Sequence, residues 1–186
     1  ISVLTDEEFF MGRLDTLREL RAQGNVLPLL RKDFILSPAQ LYQTRAAGAD
    51  AVLLIVAALL SDGPEPGSLP ALHALALELG LTPLVEVHSL PELKRALRLP
   101  GLQCVGINNR DLSTFEVRLE TTLSLRGQIP AGVRVVSESG IFTTADVLTL
   151  AAAGVQAVLV GEALITAPDI GAKVRELSGV PLARPA

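Results

Sequence analysis

The chain has 186 residues, of which 49% are hydrophobic, and its formal net charge is −4 at pH 7. This length supplies one hydrophobic core, so we expect a single domain over residues 1–186. The acidic balance argues against a nucleic-acid partner, and no apolar run reaches the ~18 residues that a membrane span needs. One cysteine and two histidines exclude an intramolecular disulfide and make a metal site improbable. These features predict a cytoplasmic protein.

Short apolar runs alternate with helical patterns along the chain. The runs are continuously apolar, which is typical of strands buried on both faces of a parallel sheet. Strands are expected at residues 1–4, 26–31, 51–56, 82–87, 104–108, 133–137 and 157–161. Helices are expected at residues 7–22, 38–47, 69–79, 91–99, 119–126, 144–153 and 169–177. The alternation predicts an α/β protein made of repeated βα units.

The repeated units favour a barrel. Residues 46–54 read AAGADAVLL and residues 152–160 read AAGVQAVLV, and each stretch combines a helix end, a glycine turn and a strand. A (β/α)8 TIM barrel has eight strands, whereas the pattern supplies seven. The chain also opens directly on a strand-like run, Ile1–Leu4, with no preceding methionine. We therefore expect a (β/α)8 TIM barrel whose first βα unit is missing from this chain.

Five predicted strands carry charged or polar residues at or near their carboxyl ends. In chain order these are Lys32, Glu86, Asn108 with Arg110, Glu138, and Glu162. A charged group at the end of a buried strand costs free energy unless it is paired. Because the carboxyl ends of barrel strands meet at one face, these side chains are expected to form one polar pocket.

Lys32 and Glu86 are the candidates for acid–base chemistry. A lysine at a barrel mouth either has a pKa lowered by desolvation, binds an anion or acts as an acid. The alternative for Lys32 is a solvated side chain paired with Asp33. Glu86 alternates with two valines and should point into the barrel. A buried glutamate there needs a cation or keeps its proton, and either state suits acid–base chemistry. The alternative to a catalytic role for Glu86 is a structural ion pair. His88, just beyond, reads as a loop residue rather than a catalyst.

Other polar residues at these strand ends indicate an anionic substrate. Arg110 can clamp a carboxylate or phosphate, and the alternative is a surface pair with Asp111. Ser139-Gly140 and Gly161-Glu162 lie in the last two βα units, whose loops hold phosphate groups in many barrels. The pattern thus predicts a phosphorylated small-molecule substrate.

The same residues resemble one enzyme family over nearly the whole chain. The matching segments are ISVLT (1–5), LRKDFI (30–35), ADAVLLIVA (49–57), LVEVH (84–88), GINNRDL (106–112), SESGI (137–141) and VGEAL (160–164). In this order they are similar to indole-3-glycerol phosphate synthase. The resemblance implies closure of 1-(2-carboxyphenylamino)-1-deoxyribulose 5-phosphate to indole-3-glycerol phosphate, with loss of CO₂ and water. It also implies no cofactor or metal, and a monomeric intact enzyme.

The resemblance assigns expected roles. Lys32 would be the general acid, and Glu86 would assist as acid or base and stabilise the cationic ring intermediate. The substrate groups would be held by Asn108, Arg110 and Glu138, the aromatic ring by Phe10, Phe34 and Leu53, and the phosphate by Ser139, Gly140, Gly161 and Glu162.

Two departures and two alternatives accompany this interpretation. The family's Glu-x-Lys and Ser-Pro-Ser segments are absent from the sequence, and Ala163 stands where the family often has serine. One alternative is a truncated, non-catalytic barrel remnant that binds phosphate. The other is a related barrel enzyme such as phosphoribosylanthranilate isomerase or the tryptophan synthase α chain, which is not expected to carry all these motifs together.

Overall fold

A computed structural model describes residues 1–112 and 114–179 of the chain. The strands are β1 (Ser2–Leu4), β2 (Leu30–Lys32), β3 (Ala51–Ile55), β4 (Thr82–Val87), β5 (Cys104–Asn108), β6 (Arg134–Glu138) and β7 (Ala157–Leu159). The helices are α1 (Asp15–Ala22), α2 (Pro38–Ala46), α3 (Leu69–Glu78), α4 (Leu90–Ala96), α5 (Glu120–Arg126), α6 (Thr144–Ala152), α7 (Glu162–Ile165) and α8 (Ile170–Ser178). None of these helices is long and apolar enough to cross a membrane.

The seven strands form one parallel sheet in chain order, from β1 at one edge to β7 at the other. Each strand therefore pairs with its sequence neighbours, as successive βα units in a barrel do. The predicted α/β architecture with a parallel sheet is confirmed. Within the described part of the chain, β1 and β7 each have a strand partner on one side only.

Strand residues alternate between two apolar layers. On β3, Val52 and Leu54 belong to the large core between the sheet and the helices. Leu53 and Ile55, which alternate with them along the strand, pack with Leu84 of β4 on the other face. Both faces are thus covered by apolar side chains, which explains the continuously apolar strand sequences.

Several helices begin at local capping residues. Ser37, Ser68 and Ser89 take the extended conformation before α2, α3 and α4, and a proline occupies the first turn of each helix. Thr143 and Asp146 form a capping box at α6. These side chains satisfy amides that have no partner within the helix.

The first helix is eight residues shorter at its start than predicted: α1 begins at Asp15, whereas the apolar spacing predicted a helix from Glu7. Asp6 accepts hydrogen bonds from the amides of Phe9 (2.6 Å) and Phe10 (3.2 Å), which closes a local turn. Met11 then has a φ of 51°, outside the helical region. Side-chain capping by an aspartate competes with helix formation here.

The second strand also differs from its prediction. Residues 26–31 were expected, but β2 covers Leu30–Lys32. Val26 is 90% exposed and Leu27 is 55% exposed, so this apolar pair lies on the surface ahead of the strand. Lys32 is consequently the last residue of the strand rather than the first residue after it.

Candidate active site

Strand register brings four of the predicted residues to one face of the sheet. Ile55 pairs with Glu86, Glu86 with Gly106, and Asn108 with Glu138. Because side chains alternate along a strand, Glu86, Asn108 and Glu138 all lie on the face opposite the helices. Lys32 ends β2 on the same face and contacts two of them.

The Lys32 ammonium lies between two buried carboxylates. Its Nζ donates hydrogen bonds to Glu86 Oε2 and Glu138 Oε2, each at 3.2 Å. The two glutamate side chains are 2% and 1% exposed, and that of Lys32 is 23% exposed. One ammonium group is therefore shared by two carboxyl groups that are almost completely shielded from solvent.

The three groups respond differently to this environment. Burial acts to lower the pKa of Lys32, but the charges of Glu138 and Glu86 outweigh it and raise that pKa. Burial opposes ionisation of Glu86, yet its pKa falls to about 2 because of the His88 side chain, the Lys32 charge and Asn108. Burial raises the pKa of Glu138 to about 7, and the Glu86 charge adds to the rise. The lowered lysine pKa considered from sequence is thus wrong in direction.

A separate network keeps Asp33 away from Lys32. The guanidinium of Arg31 contacts Asp33 Oδ2 through Nη2 at 2.8 Å, and the Thr5 hydroxyl donates to the same oxygen at 2.6 Å. Arg31 is 5% exposed and also bonds Thr44 Oγ1 at 3.0 Å. The Lys32–Asp33 pair considered from sequence does not form, since Asp33 is held by Arg31.

Gly106 provides the space that Glu138 occupies. A Cβ atom at this position would overlap Glu138 Oε1 and lie 3.3 Å from Leu84 Cδ1. Glu138 Oε1 is buried and lacks a hydrogen-bond partner among the described residues. Any side chain at position 106 would therefore force the Glu138 carboxylate to move.

Asn108 and Arg110 occupy the end of β5 and the loop after it. Asn108 Oδ1 accepts a hydrogen bond from the Arg110 amide at 3.0 Å. The guanidinium of Arg110 reaches Glu162 Oε2 at 2.9 Å, at the start of α7. Arg110 therefore pairs with Glu162 across the strand ends, and this contact joins the loops after β5 and β7.

The two glycine-containing loops have different geometries. Ser139 and Gly140 have φ values of 66° and 73°, so two successive residues are left-handed at the end of β6. A left-handed serine is strained, and such strain concentrates at functional loops. Gly161 precedes the one-turn helix α7, where no side chain caps the first amides. A short helix after the last strand is a frequent phosphate-binding element in barrels.

The predicted aromatic contacts are only partly assembled. Leu53 is 1% exposed and packs with Phe34 on the sheet face that carries Lys32. Phe10 is 53% exposed. Phe9, which the sequence analysis did not select, makes an edge-to-face contact with Phe34 at 5.9 Å between ring centroids. The Asp6 turn decides which phenylalanine meets Phe34.

Comparison with known proteins identifies the family. A family model for indole-3-glycerol phosphate synthase matches residues 1–177. The chain belongs to the indole-3-glycerol phosphate synthase family. The relative from Desulforamulus reducens is 54% identical over 178 residues, covering 95% of this chain and 64% of the relative. The relative from Roseiflexus castenholzii is 53% identical over 186 residues, covering 96% and 67%. The chain thus spans about two thirds of these relatives' length.

Solved structures agree on the fold. The 3-hexulose-6-phosphate synthase of Salmonella typhimurium matches with a TM-score of 0.74 at 16% identity, over 96% of this chain and 84% of that chain. The 3-keto-L-gulonate-6-phosphate decarboxylase of Vibrio cholerae matches with a TM-score of 0.68 at 16% identity, over 96% and 83%. At this identity the likeness establishes the architecture alone.

Two residues of this indole-3-glycerol phosphate synthase family member were missed from sequence. Asn109 is 2% exposed, and its amide nitrogen donates to Ser137 Oγ and to the Ser139 carbonyl, each at 3.0 Å. It thereby holds the left-handed loop in place. His88, read as a loop residue, has its Nε2 atom 3.2 Å from Glu86 Oε1. Their strand-end positions were the available signal.

A partly open pocket of about 220 Å³ lies beside the lysine cluster rather than over it. It is lined by His88, Asn108, Asn109, Asp111, Thr114, Glu116, Arg118 and Thr121. Neither Lys32 nor Glu138 lines it. His88 and Asn108 line this space and also contact Glu86.

Proposed function

We propose that the intact protein is an indole-3-glycerol phosphate synthase and that this chain carries most of its reaction centre. The substrate would be 1-(2-carboxyphenylamino)-1-deoxyribulose 5-phosphate, and the products indole-3-glycerol phosphate, CO₂ and water. The observation that carries the proposal is Lys32, held at 3.2 Å from each of two carboxylates at the strand ends. Family membership supplies the reaction to which this constellation is fitted.

Lys32 is proposed as the general acid for ring closure. Its raised pKa keeps the ammonium protonated at neutral pH, so Nζ can donate a proton to the ketone oxygen as the aromatic carbon attacks. The substrate carboxyl group then leaves as CO₂, and the new hydroxyl leaves as water. Ring closure and dehydration each need a proton on the substrate oxygen, which Lys32 can supply, and dehydration returns a proton from the adjacent carbon. Decarboxylation moves no proton, because the electrons of the broken C–C bond return to the cationic ring.

Glu86 and Glu138 are proposed to take different parts. Because the pKa of Glu86 is low, its carboxylate stays negative and can stabilise the cationic ring intermediate. Because its pKa is about 7, Glu138 can both accept and release a proton near neutral pH. Because the pKa values of the two carboxyl groups differ, one group can act as an acid and the other as a base.

Substrate binding is proposed on the residues around this centre. Asn108 and Arg110 would hold the carboxylate and ribulose groups, and Arg110 would exchange its bond with Glu162 for one to substrate. Phe34 and Leu53 would pack against the aromatic ring, with Phe9 alongside and Phe10 at the rim. The phosphate would lie between Ser139-Gly140 and Gly161-Glu162, bound mainly by backbone amides.

We also propose that an eighth strand closes the sheet between β1 and β7. Both are edge strands within the described residues, and about one third of the Desulforamulus reducens relative's length lies outside the matched region. A further βα unit would cover both edges and complete a (β/α)8 barrel. It would also bring the family's Glu-x-Lys segment to the site. The intact protein is proposed to be a cytoplasmic monomer that does not bind nucleic acid.

The test compares two proteins. One is this chain, and the other is an extended chain, in which the part of the Desulforamulus reducens relative that precedes its matched region is joined to Ile1. Indole-3-glycerol phosphate formation is followed by indole fluorescence. The proposal predicts turnover by the extended chain and little by the shorter one. An extended chain that folds and binds phosphate without turnover would favour the non-catalytic remnant.

A further inference from the structure

Glu86 and Glu138 share most of their surroundings. Both are almost fully buried, at 2% and 1% side-chain exposure, and both lie 3.2 Å from the same ammonium group. Neither burial nor Lys32 can therefore decide which of the two carries the negative charge. The deciding contact must be one that only one of them makes.

Glu86 makes two such contacts, with the Asn108 side chain and with His88, and of these two residues only His88 can carry a positive charge. Its Nε2 atom lies 3.2 Å from Glu86 Oε1, on the carboxylate oxygen that does not face Lys32. The distance is that of an ion pair, although the N–H direction falls short of a directed hydrogen bond. Glu138 Oε1, the corresponding free oxygen of the other acid, has no hydrogen-bond partner among the described residues.

Glu92 holds the His88 ring in this position. Its Oε2 atom lies 3.1 Å from His88 Nδ1 and accepts a hydrogen bond from the His88 amide at 2.9 Å. Its Oε1 atom accepts from the Ser89 hydroxyl at 2.9 Å, at the N-terminus of α4. The imidazole is thus fixed between two carboxylates, and its side chain is 9% exposed.

We infer that His88, oriented by Glu92, is a positioning residue that keeps the negative charge on Glu86 and leaves the proton on Glu138. This inference rests on the proposed function, because it assigns the roles of the two acids around Lys32. His88 carries a positive charge in this role, and its pKa is raised to about 9: burial opposes the charge, but Glu86 and Glu92 outweigh it. Asp111, Glu116, Arg118 and Glu120 are the other charged groups lining the cavities beside His88.

The test measures carboxyl titration by ¹³C NMR in the 186-residue chain labelled at glutamate Cδ. E86Q and E138Q assign the two signals. H88Q removes the positive charge, and E92Q removes the carboxylate that orients the ring. D146N is the matched control, since Asp146 caps α6 in the same third-residue position but faces no histidine.

In H88Q and E92Q the pKa of Glu86 is expected to rise and that of Glu138 to fall, so that the two titrations approach each other. D146N should leave both in place. Unchanged titration of Glu86 in a folded H88Q or E92Q, or an equal shift in D146N, would overturn the inference. If H88Q does not fold, E92Q decides.

Activity of the extended chain supplies a separate result. H88Q should shift the acidic limb of the kcat profile to higher pH and leave KM nearly unchanged, because Glu86 loses its charge at a higher pH. A uniform loss at every pH would show a merely structural role and overturn the positioning role. If the extended chain has no activity but the two titrations converge as expected, the proposed function fails while the charge assignment stands.

Discussion

Glu86 and Glu138 bond to the same Lys32 ammonium at the same distance of 3.2 Å, yet their pKa values move in opposite directions. Glu86 has His88 on its second oxygen, whereas Glu138 has the bare Cα of Gly106. The difference between the two acids therefore comes from neighbours that only one of them has, His88 and Asn108 at Glu86. It leaves one carboxylate with a lowered pKa and one with a raised pKa beside a single ammonium group.

The titratable carboxylate predicts a pH-dependent stability. Glu138 has a pKa raised from 4.5 to about 7, so its contribution to stability is fully present below pH 4.5 and is lost as pH rises through about 7. E138Q cannot ionise. The difference in unfolding free energy between wild type and E138Q should therefore shift against wild type between these values. Urea denaturation at a series of pH values measures this, and a difference that does not change with pH would contradict the account.

Gly106 gives a steric prediction. G106A should push Glu138 off Lys32 and destabilise the fold by about 1–3 kcal/mol, the usual cost of overpacking. G127A is the matched control, because Gly127 has a φ of −64° and a Cβ there meets nothing within 4 Å. Chemical denaturation of both variants tests the point. Equal stability of G106A and wild type would mean that Glu138 moves freely.

The charge of Glu162 predicts the direction in which phosphate affinity changes when that charge is removed. Glu162 places a negative charge beside Gly161 and holds Arg110 at 2.9 Å. E162Q should tighten inorganic phosphate binding, since it removes a repulsive charge and frees the guanidinium. E176Q, which changes an exposed pair on α8, should leave phosphate affinity unchanged. Isothermal titration measures both, and weaker binding by E162Q would place the phosphate elsewhere.

The open edges predict uneven hydrogen exchange. Backbone amides of β7 should exchange faster than those of β4, because among the described residues β7 pairs on one side only and its residues are partly or fully exposed. In the extended chain the β7 amides should gain protection as an eighth strand pairs with them. If β7 is equally protected in both proteins, the proposed eighth strand does not lie at this edge.

The sequence predicted the sheet because its signals are local. Continuous apolar runs, capping serines before α2 to α4 and the glycine turns each act within a few residues. The start of α1 could not be predicted from apolar spacing, since Asp6 closes a turn over Phe9 and Phe10 that competes with the helix. Phe9 lies beside Phe34 in the structure, whereas Phe10 was predicted to contact the aromatic ring of the substrate.

Strand alternation also predicted the inward position of Glu86, but not the partners of the site residues. Asp33 adjoins Lys32 in sequence, yet it is taken by Arg31, whose guanidinium approaches from the same strand. His88 contacts Glu86 while Glu92, on the first turn of α4, contacts the other ring nitrogen. Such contacts depend on side-chain rotamers that are fixed by packing between different strands and helices. A short-range sequence pattern does not encode them.

The central claim is that Lys32 is the proton donor shared by two buried acids, and K32A in the extended chain tests it most directly. General acid catalysis contributes about 10²–10⁴-fold, so kcat should fall by that factor while circular dichroism shows an unchanged fold. K94A, at an exposed lysine of α4, serves as the control and should keep wild-type turnover. A folded K32A variant with kcat within a few-fold of wild type would contradict the account.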